Sequence, residues 1–177
     1  MRNSEVIYLG GIYGSIKARL RDLNTPTEIE AEVRQINKSA KFYQRILDPD
    51  TIDQIGIRDR IHNIKGLGAA TSYSFLLRLL DALEAKTTSE ADIEQCTWLI
   101  ESFIVRRSVC SVPTNNVNKL FLQWCRSAPV TNIAEWLRRS MSAGAGGRRF
   151  PNDVEFGEAF SFNPVWARGN TVHLGKD

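Results

Sequence analysis

The stretch from Thr25 to Leu47 reads TPTEIEAEVRQINKSAKFYQRIL and carries the clearest helical pattern in the sequence. It opens with a threonine, a proline directly after it and a glutamate three residues after it, which together are a start signal for an α-helix. The apolar residues that follow are spaced 4-3-4-3-4 and so share one face of a helix: Ile29, Val33, Ile36, Ala40, Tyr43 and Leu47. This pattern predicts a helix that ends at Asp48-Pro49, and we expect its apolar stripe to face the core.

Helical periodicity continues along the chain, and strand alternation is nearly absent. The pattern predicts further helices that run from Ile52 to a break at Gly66-Leu67-Gly68, from about 72 to 86, from a Ser89 cap to about 110, from a Thr114 cap to Pro129, from about 132 to 142, and from 151 to about 160. Their expected inward-facing residues include Ile52, Ile55, Ile61, Ile64, Phe75, Leu79, Ile100, Phe103, Phe121, Trp124, Trp136, Leu137, Val154, Phe156 and Phe160.

These helices predict a compact all-α bundle of about six to eight helices with short connections. We expect three parts: a helical N-terminal segment (1–24), a helical domain (25–162) and a loose C-terminal tail (163–177). The glycine-rich stretch 143–147 is predicted to be a loop.

The composition is that of an ordinary globular chain, with 177 residues, 42% hydrophobic and 24% charged. No apolar run reaches the roughly 20 residues of a membrane span and no secretory signal is present, so we expect a cytoplasmic protein without a membrane partner. Cys96, Cys110 and Cys125 lie in apolar helical patterns and are expected to be small buried hydrophobes. His62 and His173 are the two histidines, which leaves little material for a multi-histidine metal site or a catalytic triad. We therefore predict no cofactor, no metal and no catalytic residue.

Positive charge is concentrated in one region. Residues 101–150 carry 8 basic and 2 acidic side chains, a net charge of +6, whereas residues 51–100 and 151–177 each have a net charge of −2. Arginine doublets supply most of the excess, and arginines of this kind either contact phosphate or pair with carboxylates and solvent. The candidate nucleic-acid-binding residues are Arg106, Arg107, Arg138, Arg139, Arg148 and Arg149.

Two motifs in this region resemble a known family. The first runs from Ile100 to Cys110 and continues with Thr114, Asn118 and Phe121, in the pattern I-E-S-[YF]-x-x-R-R-x-x-C-x-x-x-T-x-x-x-N-x-x-F. The second runs from Arg149 to Phe156, in the pattern R-F-P-x-D-x-E-F. In this order and about 45 residues apart, they resemble the helical middle region of the GmrSD-type restriction family.

The resemblance implies a link to defence against modified foreign DNA. Members of that family join an N-terminal ParB-like nucleotide-hydrolysing domain to a C-terminal HNH nuclease and cut modified DNA. The family's D-G-Q-Q-R string and its E-H-x-x-P-like nuclease segment do not occur in this chain. We therefore expect a non-catalytic helical domain, either a truncated relative or a piece of such a restriction protein.

Three functional hypotheses follow. The chain is a non-catalytic scaffold of a GmrSD-like system, a free-standing nucleic-acid-binding module that uses the basic 101–150 region, or an interaction subunit that binds separately encoded nucleotidase or nuclease subunits or itself. The arginine doublet at 106 and 107 is compatible with phosphate contact. It is also compatible with a structural role, in which an arginine bridges helices through carboxylates and carbonyls, with Thr114 and Asn118 completing the network.

Overall fold

The computed structural model describes residues 12–23 and 25–162, and within these ranges it contains eight α-helices and no strand. The predicted all-α fold is therefore confirmed. The predicted C-terminal tail (163–177), His173 and the first eleven residues lie outside the described residues. The helices are α1 (Ile12–Arg21), α2 (Pro26–Leu47), α3 (Ile55–Gly66), α4 (Tyr73–Glu84), α5 (Glu90–Val109), α6 (Val117–Ser127), α7 (Ile133–Ser142) and α8 (Asp153–Phe162).

Two of the predicted helix starts are present. The Thr25 hydroxyl accepts a hydrogen bond from the Glu28 backbone N–H at 3.2 Å, and the Glu28 carboxylate accepts one from the Thr25 backbone N–H at 3.0 Å, so the capping box is complete. At α5, the Ser89 hydroxyl accepts a hydrogen bond from the Asp92 N–H at 3.1 Å. These side chains satisfy N–H groups that have no partner inside the helix.

The prediction of a Thr114 cap for α6 is wrong. The helix begins at Val117, and Asn116 occupies the cap position without a side-chain hydrogen bond. The Thr114 carbonyl instead accepts the Val117 N–H at 3.0 Å, so a backbone turn precedes the helix. A turn of this kind satisfies the orphan donor without any hydroxyl.

Helix α5 lies at the centre of the bundle, where it contacts α3, α4, α7 and α8. Helix α4 also packs against α2 and α6. An aromatic cluster fills the space between these helices, with ring centroids 5.2 to 6.2 Å apart and mostly edge-to-face geometry, which suits the quadrupoles of the rings. Its members are Phe75, Phe103, Phe121 and Trp124.

The apolar stripe of α2 does not face the core, and this prediction is wrong. Its five large side chains are 41% to 54% exposed, and Ala40 is exposed with them. The buried residues of α2 are Phe42 and Ile46, on another side of the helix. We call the exposed set the outer stripe: Ile29, Val33, Ile36, Ala40, Tyr43 and Leu47.

Burial of Phe42 and Ile46 turns this side of α2 inward, and two ion pairs accompany it. Lys38 Nζ lies 2.6 Å from an Asp81 carboxylate oxygen, and Arg45 Nη1 lies 3.6 Å from a Glu84 oxygen, both on α4. Residues 38, 42, 45 and 46 share a face because helical neighbours are three or four positions apart. Docking this face onto α4 leaves the outer stripe half exposed, with only Tyr43 in ring contact with α4, through Tyr73 at 6.1 Å between centroids.

Three other predicted core residues are exposed. Ile55 begins α3 and is 63% exposed, while Ile57 is buried in its place. Val154 and Phe160 of α8 are 70% and 64% exposed. Ile55 is the first residue of α3, and α8 has no buried residue, so these three side chains lie at the surface of the described bundle.

Most of the remaining core predictions are confirmed, including Ile100, Phe103, Phe121, Trp124 and Leu137, all of which are buried. Trp136 is half-buried against the core. Of the three free thiols, Cys96 is buried and Cys110 and Cys125 are half-buried. Among the described helices, none combines the length and the apolar character that crossing a bilayer requires.

Candidate functional site: the arginine cluster between the two motifs

The two sequence motifs meet in space. The C-terminal half of α5, which holds the first motif, lies against residues 149–156, which form the second motif and the start of α8. Arginines from both motifs supply the contacts between them. We call this group the arginine cluster: Arg106, Arg107, Arg149, Asp153 and Glu155.

Arg106 of α5 forms hydrogen bonds with the beginning of α8 and with the residues just before it. Its guanidinium donates hydrogen bonds to the Pro151 carbonyl at 3.1 Å and to the Asp153 carboxylate. The same group lies 5.2 Å from the centroid of the Phe150 ring and 5.0 Å from that of Phe156. The cation thus sits against the faces of two aromatic rings, an arrangement in which charge and ring quadrupole attract each other.

Arg107 is the buried member of the pair, with 3% of its surface exposed. It donates to the Pro113 carbonyl at 2.6 Å and to the Arg149 carbonyl at 3.1 Å, and it lies 4.9 Å from the Phe103 ring centroid. Burial, with a smaller contribution from the charge of Arg149, lowers the pKa of Arg107 from its usual value. A buried charge requires such hydrogen bonds, because desolvation is otherwise very costly.

Arg149 pairs with Glu155 across the first turn of α8. The hydrogen bond to that carboxylate raises the pKa of Arg149. An aromatic contact lies beneath this ion pair. The Phe150 ring is nearly parallel to the Phe103 ring of α5, with centroids 6.2 Å apart and planes at 11°. The second motif is therefore held to α5 by charge at its edge and by aromatic contact beneath.

Glu101, also in the first motif, ties α5 to α3. Its carboxylate accepts hydrogen bonds from Arg60 Nη1 and from Asn63 Nδ2, each at 2.9 Å. Ser102 Oγ accepts a weaker one from Arg106 Nε at 3.3 Å. The polar residues of the first motif thus serve the contacts of α5 with its neighbours.

The structural interpretation of Arg106 and Arg107 is confirmed in its main part, because both bridge elements through carbonyls or a carboxylate. The expected help from Thr114 and Asn118 is not found, since both are exposed and neither donates or accepts a side-chain hydrogen bond in the described cluster. The sequence did not assign a role to the acidic and aromatic partners of these arginines. The available signal was that these acidic and aromatic residues lie close to Arg149 in the short second motif.

The other three candidate arginines lie apart from this cluster. Arg138 and Arg139 are exposed in the second half of α7, and Arg148 is exposed on the short 3₁₀ turn Gly146–Arg148. Arg139 pairs with Glu135 at 2.8 Å in an i, i+4 arrangement. Arg138 and Arg148 form no ion pair with any residue that the structure describes. Both are therefore available to an external anion, as is the exposed Lys119 of α6.

Outside the arginine cluster, the histidine of the described chain forms a single hydrogen-bonded pair. His62 Nε2 lies 2.9 Å from an Asp50 carboxylate oxygen, and this hydrogen bond lowers the pKa of Asp50. In the described part of the chain, no group of three or more histidine, cysteine, aspartate or glutamate side chains is arranged to hold a metal ion.

Comparisons with known proteins do not assign this chain to a family. No family model, no curated protein sequence and no solved structure matches this chain.

Proposed function

We propose that this chain is a non-catalytic helical domain similar to the middle region of GmrSD-type restriction proteins, with a role in defence against modified foreign DNA. One observation supports the proposal above the others: the two motifs that carry the resemblance, about 45 residues apart, converge in the arginine cluster. Arg106 and Arg107 of the first motif bond Pro151, Asp153 and Arg149 of the second, so the two stretches form one structural unit.

The same contacts explain why the domain would be a scaffold. Arg106, Arg107 and Arg149 direct donors to carbonyls and carboxylates of the chain itself, so the motif residues hold helices together. A rigid joint of this kind suits a domain that sets the positions of catalytic subunits. The catalytic strings of the resembled family do not occur in the sequence.

The first test is an activity assay on the full chain. Purified protein should neither hydrolyse nucleoside triphosphates nor cut phage DNA with or without base modifications. The chain should restore cutting of modified DNA when it is mixed with a ParB-like nucleotidase and an HNH nuclease taken from a GmrSD-type protein without its middle region. A mock purification is the contaminant control. Cleavage that follows this protein through purification would contradict the proposal.

A second candidate function is nucleic-acid binding through Arg138, Arg139 and Arg148. The exposed, unpaired guanidinium groups of Arg138 and Arg148, within the part of the chain that the structure describes, favour it, together with the net charge of +6 of residues 101–150. Arg107 offers no surface to a phosphate, and Arg106 and Arg149 have carboxylate partners that a phosphate would have to displace.

Binding to a labelled DNA duplex should then weaken steeply as salt rises, because each phosphate contact releases condensed counterions. Replacing Arg138 and Arg148 by alanine should reduce the slope of log K against log salt by about 0.9 for each phosphate that the variant no longer neutralises. The matched control removes the same charge elsewhere, with Arg21→Ala on α1 and Lys41→Ala on α2, both exposed. Equal reductions in both double variants would mean that net charge alone is measured.

A further inference from the structure

Helix α2 has two apolar faces, and the bundle covers only one of them. Phe42 and Ile46 are buried against the core, whereas the outer stripe stays about half exposed, with Tyr43 at its edge in contact with the Tyr73 ring of α4. Six residues of the stripe keep a strict 4-3-4-3-4 spacing over residues 29–47, which is nearly three heptads. A spacing that averages 3.5 residues keeps a seam straight along a second, supercoiled helix.

We propose that the outer stripe is the contact surface with a second copy of this chain, formed by two α2 helices that pair antiparallel about a two-fold axis near residue 38. A two-fold axis lets one surface pair with itself, which gives a closed dimer. The inference does not depend on the proposed function.

Steric fit favours the antiparallel arrangement. With the axis near residue 38, Ile36 lies opposite Ala40 of the other copy, Val33 opposite Tyr43, and Ile29 opposite Leu47. Large side chains thus meet smaller ones near the axis, which permits close packing. In a parallel pair, Ala40 would face Ala40 and Tyr43 would face Tyr43, leaving a gap next to a bulky pair.

Charge favours the same orientation. Residues 28–36 carry three glutamates and one arginine, whereas residues 37–47 carry three cations and no acid. Most of these charges already have a partner within the chain. Lys38 and Arg45 pair with α4, and Arg19 of α1 pairs with Glu32 at 2.7 Å. Glu30 pairs with Arg34 at 2.6 Å, and Glu28 completes the helix cap. An antiparallel pair still places the acidic half of each helix beside the basic half of the other, while a parallel pair places like beside like.

The exposed side chains extend beyond the outer stripe. Tyr13 and Ile16 of α1 are 75% and 40% exposed, and the five large side chains of the stripe are 41% to 54% exposed. An ordinary interface takes roughly 800 Å² from each partner, so a stable dimer would have to bury the stripe along its whole length together with side chains of α1.

The first experiment measures the oligomeric state of the full chain by sedimentation velocity over a concentration series. We expect a dimer for the unmodified chain and at least a roughly tenfold weaker dimer for Ile36→Asp, which places a charge in an apolar seam. Ile55→Asp is the matched control, because Ile55 is more exposed than Ile36 and lies outside the stripe. Circular dichroism checks that each variant is folded, and Val33→Lys provides a second variant at the same surface.

The second experiment tests orientation by disulfide formation. In the antiparallel register, position 30 of one copy lies near position 44 of the other. A mixture of the Glu30→Cys and Gln44→Cys proteins should therefore form a mixed disulfide under mild oxidation, whereas Glu30→Cys alone should not cross-link. The unmodified chain, which contains three cysteines, is the background control.

Three outcomes would overturn the proposal. A chain that stays monomeric across the concentration series has no such interface. A dimer that tolerates Ile36→Asp and Val33→Lys uses another surface. Self-cross-linking of Glu30→Cys without a mixed product would mean that the helices pair parallel.

Discussion

Arg107 is a cation within the core that the chain satisfies with its own carbonyls. Two of its donors are directed to Pro113 and Arg149, which lie 6 and 42 residues after it in the sequence, and its planar group covers the Phe103 ring. A guanidinium suits this position because its donors are fixed in a fork. Lysine would offer a compact charge that reaches both carbonyls less well.

The contacts of Arg107 predict a large cost for its removal. Arg107→Ala should lower the free energy of unfolding by about 2–4 kcal/mol, because two carbonyls lose a charged donor and a cavity opens beside Phe103. Arg107→Lys, which keeps the charge, should be less destabilising than Arg107→Ala. Urea unfolding followed by circular dichroism measures the change, with exposed Arg138→Ala as the control, expected to stay within about 0.5 kcal/mol. Equal effects at the two positions would contradict a structural role for Arg107.

The buried thiol of Cys96 predicts a pH dependence at the alkaline side. Burial raises the pKa of Cys96 to about 12, and a nearby Asp92 charge adds to this. The thiol in the unfolded chain titrates at about pH 8.5. Between this pH and about 12, the folded chain therefore holds a proton that the unfolded chain has lost. Stability should therefore fall as pH rises from about 9 to 12, by up to about 1.4 kcal/mol per pH unit from this group.

Comparing the unmodified chain with Cys96→Ala isolates that contribution. Both proteins share the other groups that titrate in this range, including Tyr73, whose pKa is also raised by burial. The difference between their unfolding free energies, measured at several pH values, should shrink as pH rises. A constant difference would mean that the Cys96 thiol ionises alike in the folded and unfolded chains.

At the scale of the element, α8 is attached to the bundle by a small number of strong contacts. Arg106 binds both the Pro151 carbonyl and Asp153, and the Phe150 and Phe156 rings flank its guanidinium. No residue of α8 is itself buried. The helix therefore depends on the arginine cluster more than on a hydrophobic face of its own.

Arg106→Ala should consequently release α8 without unfolding the rest. We expect amide exchange in residues 153–162 to become about 10–100 times faster, while exchange in the middle of α5 is unchanged. Hydrogen exchange followed by mass spectrometry measures both regions at once. Arg139→Ala serves as the control, since that arginine pairs only within the exposed face of α7. Uniform acceleration across all helices would instead mean global destabilisation.

Helix positions could be predicted from the sequence far better than helix faces. Thr25 and Ser89 predict the starts of their helices correctly, because a cap is a local interaction that is complete within four residues. The spacing from 29 to 47 identifies residues that share a face but contains no information on what covers it. Phe42 and Ile46 form a shorter apolar face of α2 that turns inward, and its fit against α4, with ion pairs at the edge, is a tertiary contact that the spacing does not encode.

The candidate site was predictable only in its parts. The arginine doublet and the R-F-P-x-D-x-E-F string are both visible in the sequence. Their contact, however, depends on the packing of α8 against α5, and about 45 residues separate the two motifs in the chain. Arg106 pairs with Asp153 at a sequence separation of 47, which no local pattern specifies. The exposed positions of Arg138 and Arg148, in contrast, are typical of arginines outside an apolar stripe.

At the scale of the whole molecule, α5 couples the other helices. It contacts α3, α4, α7 and α8, and residues such as Ile100 are fully buried within that packing. Cores of this kind are close-packed, so a void at the centre reaches several helices together. We expect the bundle formed by α3 to α7 to unfold as one cooperative unit.

Ile100→Ala tests this coupling. It should lower the free energy of unfolding by about 2–5 kcal/mol, as deletion of buried methyl groups does elsewhere. Ile55→Ala, at an exposed position of α3, should cost well under about 1 kcal/mol. Urea curves from circular dichroism and from tryptophan fluorescence should coincide for both variants. Separate transitions would mean that α5 does not join the helices into one unit.

The meeting of the two motifs has a consequence for how this chain would change through evolution. Arg106 and Asp153 form one charge pair, and Arg149 and Glu155 form another, so a substitution at one member leaves its partner without its counter-ion. Descendants of this sequence should therefore alter the two members of each pair together, or alter neither. A discontinuous signature that scores positions 101–107 and 149–156 jointly would then recognise distant relatives that either string alone would miss.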